Sequence, residues 1–130
     1  MIYVVDTHIL IWFLDSNKRL SSKYKRILLN EKNTLVFSTI VLAEIKHLIA
    51  IMRIKINFNS VLDYLSESDN CIIYPVDEAV IDNMPGGLNI HDALIVATGL
   101  IYKNSASEAV TVTILTEDQD IRKSGILPVA

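Results

Sequence analysis

Four acids in this chain stand where a carboxylate can do chemistry. Asp6 ends the apolar run Ile2-Tyr3-Val4-Val5. Such a short continuous run reads as a strand buried on both faces, as in the middle of a parallel sheet. The acid then falls at the strand's carboxyl end, where open α/β sheets bind their ligands. Glu44 has Val41, Leu48 and Met52 at i−3, i+4 and i+8, which puts it on the apolar face of a helix. Asp92 lies in the first turn of the nearly all-apolar run 90–101, which reads as a helix buried all round. Asp118 follows Val112-Thr113-Ile114-Leu115, another buried-looking strand. Each acid also has a plainer reading. Asp6 caps the next helix, and Glu44 sits at the stripe's edge or pairs with His47. Asp92 forms a capping box with Asn89, and Thr116 caps a helix start rich in acids.

If the four converge, they repel. Two unit charges ~4 Å apart cost ~4 kcal/mol at an effective dielectric of ~20. Divalent cations relieve this, and an all-oxygen donor set points to Mg²⁺ or Mn²⁺ rather than zinc. Carboxylates with such ions at a sheet edge suit phosphoryl-transfer chemistry, in which the metal activates water and stabilises the attacking and leaving oxygens. Asp120 competes with Asp118 for the fourth place. It lies two residues further, roughly 200° round a helix of ~3.6 residues per turn, so it should face another way and Asp118 is preferred.

The elements that must position these acids alternate along the chain. The first strand ends at Val5, and a short helix runs from Ile9 to Asp15. Ser21-Ser22 caps a second helix, and Thr34 to Phe37 is a second strand. Ser38 or Thr39 caps a long helix to about Arg53, followed by another from about Asn59 to Ser66. Cys71 to Tyr74 is a third strand, stopped by Pro75. Asp77 caps a helix that ends before Pro85, and Asn89 caps one from Ile90 to about Lys103. Thr111 to Leu115 is a fourth strand, then a helix from Glu117 to Ser124 stops at Gly125. Leu127 to Val129 is a marginal fifth strand. Strands separated by helices predict an α/β fold with a parallel sheet of four to five strands and helices on both faces. No linker divides residues 1–130, so they are read as one domain.

Composition sets the bounds. The chain has 130 residues, 51% hydrophobic and 21% charged, which suits one ordinary globular domain with a real core. The lone Cys71 has no disulfide partner and no zinc-ligand spacing, and reads as a buried small hydrophobe in a reducing compartment. The N-terminus lacks the features of a signal peptide, and the apolar segment 40–54 is too charged to span a membrane, so a cytoplasmic protein is expected. The net charge of −3 is unevenly spread: nine of twelve basic residues lie between Lys18 and Lys55, and none falls between Ile56 and Tyr102. A basic face beside an acidic site is one outcome, and ordinary solvated helix faces are the other.

Taken together, four blocks resemble a known family. They are Val4-Val5-Asp6-Thr7-His8, the segment Ser38 to Ile45 with Glu44, the helix His91-Asp92-Ala93 to Gly99, and the corner Leu115-Thr116-Glu117-Asp118. In order and at this spacing they resemble PIN-domain ribonucleases, with VapC-type toxins of prokaryotic toxin–antitoxin pairs the nearest likeness. The resemblance implies a three-layer α/β/α sandwich and a Mg²⁺- or Mn²⁺-dependent endoribonuclease. It further implies a homodimer, held inactive by a cognate antitoxin. Asp6, Glu44, Asp92 and Asp118 would hold the metals, with Thr7 and Thr116 supporting the site through hydroxyl hydrogen bonds. Water activated by the metal would attack the RNA phosphodiester in line, leaving 5′-phosphate and 3′-hydroxyl ends. The Lys18–Lys32 region would meet the RNA backbone.

Other readings stay open beside it. A Mg²⁺-dependent phosphatase-like hydrolase on a doubly wound sheet is one, although Asp6 is followed by Thr7-His8 rather than by a second acid. A non-catalytic RNA-binding domain is another. Glu44-Ile45-Lys46-His47 matches the Glu-x-x-His of di-iron bundles, but the second copy that site needs is absent. His8, His47 and His91 lack mutual metal spacing and read as structural, with His91 placed to tune Asp92. Trp12 and Phe13 read as core or interface residues rather than base-stacking ones.

Overall fold

The computed structural model describes residues 1–107 and 109–130. Its elements are β1 (Ile2–Val5), α1 (Thr7–Leu14), α2 (Ser22–Leu29), β2 (Thr34–Ser38), α3 (Thr39–Ala50) and α4 (Phe58–Glu67). Then come β3 (Cys71–Tyr74), α5 (Glu78–Asp82), α6 (Ile90–Ser105), β4 (Val112–Leu115) and α7 (Gln119–Ser124). All strand pairs are parallel, in the order β3-β2-β1-β4. The expected α/β architecture is therefore present, a four-stranded parallel sheet flanked by helices. Right-handed crossovers put the connections of the β1-β2-β3 half on one face and the β3-to-β4 connection on the other.

Strand β1 is central, and Val4 and Val5 are fully buried, as its unbroken apolar run demands. Helix α6 packs against β1, β2 and β4, and its residues from Asp92 to Gly99 are all buried. Gly99 makes that approach possible. A Cβ there would overlap Leu127 Cδ1 and lie 3.3 Å from Val4 Cγ2. Among the described residues, no helix is long and apolar enough to cross a membrane.

Several boundaries differ from expectation, each for a local reason. Helix α1 starts at Thr7, two residues early, because Asp6 is its N-cap. Helix α3 stops at Ala50 instead of continuing to Arg53. Met52 adopts a φ of 60°, and Arg53 N–H donates to Leu48 O while Met52 N–H donates to Ile49 O. That is a left-handed Schellman closure, and it leaves Met52 89% exposed. Met52 is thus no part of the apolar face that was to bury Glu44. The expected fifth strand shrinks to one parallel bridge, Ile114 with Val129. Pro128 has no N–H to donate, so the ladder cannot continue through it. Helix α7 begins at Gln119, not Glu117, and ends at Gly125 in the left-handed region. Cys71 is half-buried rather than buried, and burial pushes its thiol pKa up.

The contact at Gly99 gives a test of this packing. Gly99→Ala is expected to lower thermal stability by about 1–3 kcal/mol through overpacking, despite Ala's higher helix propensity. The loss should shrink in a Leu127→Ala background, where the clashing methyl is gone. A Tm that rises on Gly99→Ala alone would refute the tight approach.

Candidate active site

The four acids meet at the carboxyl edge of the sheet, on the β1–β4 side. The chain leaves β1 towards β2 on one flank, while β4 lies on the other. Such a switch point leaves a crevice between outgoing connections. A cavity of about 390 Å³ opens there, and Asp6, Glu44, Asp92 and Asp118 all line it.

Asp6 is set by β1 and is 8% exposed. Its Oδ1 accepts from Thr7 N–H at 2.7 Å, and its Oδ2 accepts from the Thr116 hydroxyl at 2.5 Å. Burial raises its pKa, and those two bonds and His8 oppose the rise. Glu44 projects from α3 and accepts from the Thr7 hydroxyl at 3.0 Å. His91 Nδ1 lies 3.8 Å from its other oxygen. Asp92 sits in the first turn of α6. Asn89 caps that helix by accepting from Asp92 N–H at 2.9 Å, and the Asn89 amide donates to Asp92 Oδ2 at 2.7 Å. This is a reworked capping box, because the acid is held by the cap's side chain instead of reaching back to its backbone. Burial first, then the charges of Asp118, Asp6 and Glu44, push the Asp92 carboxyl up to about 6.

Asp118 caps α7, accepting from Ile121 N–H at 3.0 Å, and its own N–H donates to the Thr116 hydroxyl at 3.0 Å. Thr116, expected as that helix's cap, is instead the fully buried link between Asp6 and Asp118. Asp120 is exposed and lies beside Lys123 and Gly86-Gly87 in a separate hollow. The structure therefore gathers Asp118 with the other three acids and leaves Asp120 out. Glu44 is corrected too: its side chain is 24% exposed, at the rim of the apolar stripe rather than in the core, and its histidine neighbour is His91 rather than His47.

Four further residues take places at the site that their sequence positions did not specify. Arg19 is the one Lys or Arg lining the cavity among the described residues, and its guanidinium lies 6.0 Å over the Trp12 ring. Trp12, expected in a core or interface, stands at the cavity wall. Tyr24 and Arg122 both donate to the Thr116 carbonyl, at 3.1 and 2.8 Å. Tyr24 carried only an apolar-face signal in the sequence, and Arg122 carried none.

The donor set suits a hard cation. The four are carboxylates, Glu117 lines the same cavity as a fifth, and Arg19 is the one Lys or Arg beside them among the described residues. No three acids among the described residues converge closely enough to ligate one ion directly. Mg²⁺ keeps several of its waters and binds through one or two carboxylates, so a wide acidic cavity fits a hydrated ion better than a dehydrated one.

Comparison with known proteins adds the following. The family profile described as PIN domain matches residues 3–126. No curated protein matches the sequence. Among solved structures, the chain is similar to VapBC2 from Rickettsia felis, crystallised with a DNA fragment from their promoter. There the identity is 22%, with 100% of this chain and 98% of that chain covered and a TM-score of 0.67. It is similar to FitAcB from Neisseria gonorrhoeae at 19% identity, covering 99% and 96%, with a TM-score of 0.62. It is also similar to the PIN-domain endonuclease Utp24 at 17% identity, covering 94% and 74%, with a TM-score of 0.52. At these identities the likeness is one of fold.

The raised Asp92 carboxyl makes a stability prediction for the metal-free protein. Its folded pKa of about 6 lies above the unfolded value, so ionising it opposes folding. Below about pH 4 both states are protonated and no penalty exists. The penalty grows as pH rises through about 4 to 6 and is complete above that. At ~1.4 kcal/mol per unit, reduced for solvent access, it amounts to roughly 1–2 kcal/mol. In EDTA at pH 7, Asp92→Asn should therefore unfold at a higher temperature than the parent, with the gap closing near pH 4. A large loss of stability instead would make Asp92 chiefly a capping residue.

Proposed function

Because the chain belongs to the PIN-domain family, we propose that it is a Mg²⁺- or Mn²⁺-dependent endoribonuclease and the toxin of a VapBC-type pair. The observation that carries this reading is the gathering of Asp6, Glu44, Asp92 and Asp118 around one cavity at the sheet's switch point. The likeness in fold to VapBC2 and FitAcB supports the toxin part.

The residues divide the work. Asp6, Glu44, Asp92 and Asp118 would hold the ion. Bound there, it supplies Lewis-acid stabilisation of the phosphoryl oxygens and lowers the pKa of water. Thr116 and Thr7 donate to Asp6 and Glu44, fixing where their free lone pairs point. Asn89 orients Asp92. Arg19, set against Trp12, receives the phosphate that the acids would otherwise repel, and the basic stretch Lys18–Lys32 follows the RNA backbone. Ile51 and Met52 at the end of α3 are large, adjacent and exposed, an apolar surface that a homodimer or a cognate antitoxin would cover.

Purified protein is expected to cut mixed RNA in Mn²⁺ and to stop in excess EDTA. Cleavage that continues undiminished in chelator would overturn the metal-dependent reading. Asp118→Asn keeps a capping oxygen yet loses the charge, so it should lower cleavage by roughly 10–100-fold, as lost metal-site contacts do. Asp120→Asn should stay within about twofold, the usual scale of a surface change. If Asp120→Asn is the more damaging, the fourth acid has been misassigned.

A further inference from the structure

A second recess adjoins the acidic cavity, and the two share His8 and Glu44 in their walls. Its volume is about 460 Å³, within the usual span of ligand pockets, ~300–1,000 Å³. Ile40, Ala43 and Leu48 form an aliphatic wall, and the imidazoles of His8, His47 and His91 stand around it. Resting on the nuclease reading, we propose that this recess seats the nucleobase next to the scissile phosphate.

The chemistry divides cleanly between the two cavities. The acidic one carries Arg19, a cation for a phosphate. The recess is lined by no Lys or Arg among the described residues, so nothing there holds a backbone phosphate. An aliphatic wall takes the flat face of a base. Imidazole nitrogens, each able to donate or accept, read its edge. Single-stranded RNA is recognised by splayed bases stacked on aromatic rings, imidazoles among them, and hydrogen-bonded on their edges. Glu44 forms the partition between the cavities, steadied by Thr7 on one side and His91 on the other. A base in the recess therefore lies directly beside a phosphate over the acids. Continuity with the acid cavity favours this occupant, because a nucleotide chain held over the acids must place its next base within one step of them.

Two variants test it without touching the four acids. Ala43 and His47 are both exposed on α3, so Ala43→Trp fills the recess and His47→Ala removes part of its rim, each with the fold intact. The probe is a short synthetic RNA that the parent cuts in Mn²⁺, paired with the same RNA bearing one abasic ribose beside the cut. The parent should lose about tenfold in kcat/KM on the abasic RNA, the scale of one stacked base. Ala43→Trp should cut the intact RNA about tenfold more slowly yet cut the abasic RNA as the parent does, so the abasic penalty vanishes. His47→Ala should flatten the base preference at that nucleotide when ends from a randomised RNA pool are sequenced. An abasic penalty unchanged in both variants overturns the proposal while the nuclease reading stands. A changed mass by light scattering with an unchanged penalty assigns the recess to a protein contact, and also overturns it. A parent that cuts no RNA in Mn²⁺ removes both readings.

Discussion

Asp6 ends the central strand with both of its oxygens engaged, one by Thr7 N–H and the other by the Thr116 hydroxyl. A carboxylate at this depth is costly unless such donors compensate it. The Thr116 hydroxyl can donate there only because the rest of the residue is immobilised. Its carbonyl lies within hydrogen-bond reach of the Tyr24 hydroxyl and accepts from Arg122, and the one proton of the Tyr24 hydroxyl is shared with Ala130 O at 2.9 Å. One buried carboxylate thus ties together β1, α2, the corner after β4, α7 and the C-terminus. Its two hydrogen bonds keep it towards the charged form that a cation would need.

Around that centre the chain concentrates negative charge where apolar elements leave little water. Asp92 shows the strain in its raised carboxyl. The structure moderates the cost in two ways. Asp92 and Asp118 both occupy helix starts, where orphan N–H groups and the helix dipole favour anions. Thr7 and Thr116 then supply hydroxyl donors to Glu44 and Asp6. Each acid is therefore both a structural cap or anchor and a candidate ligand, and the two descriptions do not compete. A site that holds repelling groups in this way gives up some stability for function.

Much of the architecture was readable from local pattern. The apolar runs 2–5 and 112–115 look like strands buried on both faces because they are, and Ser21, Asp77, Asn89 and Gly125 mark helix ends by the chemistry of caps. The errors were local as well. The apolar periodicity of α3 continues into Ile51 and Met52, and nothing in residue type signals that a Met will take a left-handed turn. Pro128, by contrast, was a visible sign that the last apolar stretch could not be a full strand.

By itself the sequence determined the α/β order, the strand ends that carry Asp6 and Asp118, and the burial of the helix that carries Asp92. These depend on periodicity and capping within a few residues. Only the tertiary structure decided which way Glu44 turns, that Thr116 serves Asp6 instead of capping a helix, that Arg19 and Trp12 face the acids, and that Asp120 lies in a different hollow. Those outcomes rest on contacts between residues up to 110 positions apart. No local pattern encodes such a contact, because the strand order that creates it is set by how the whole sheet closes over its core.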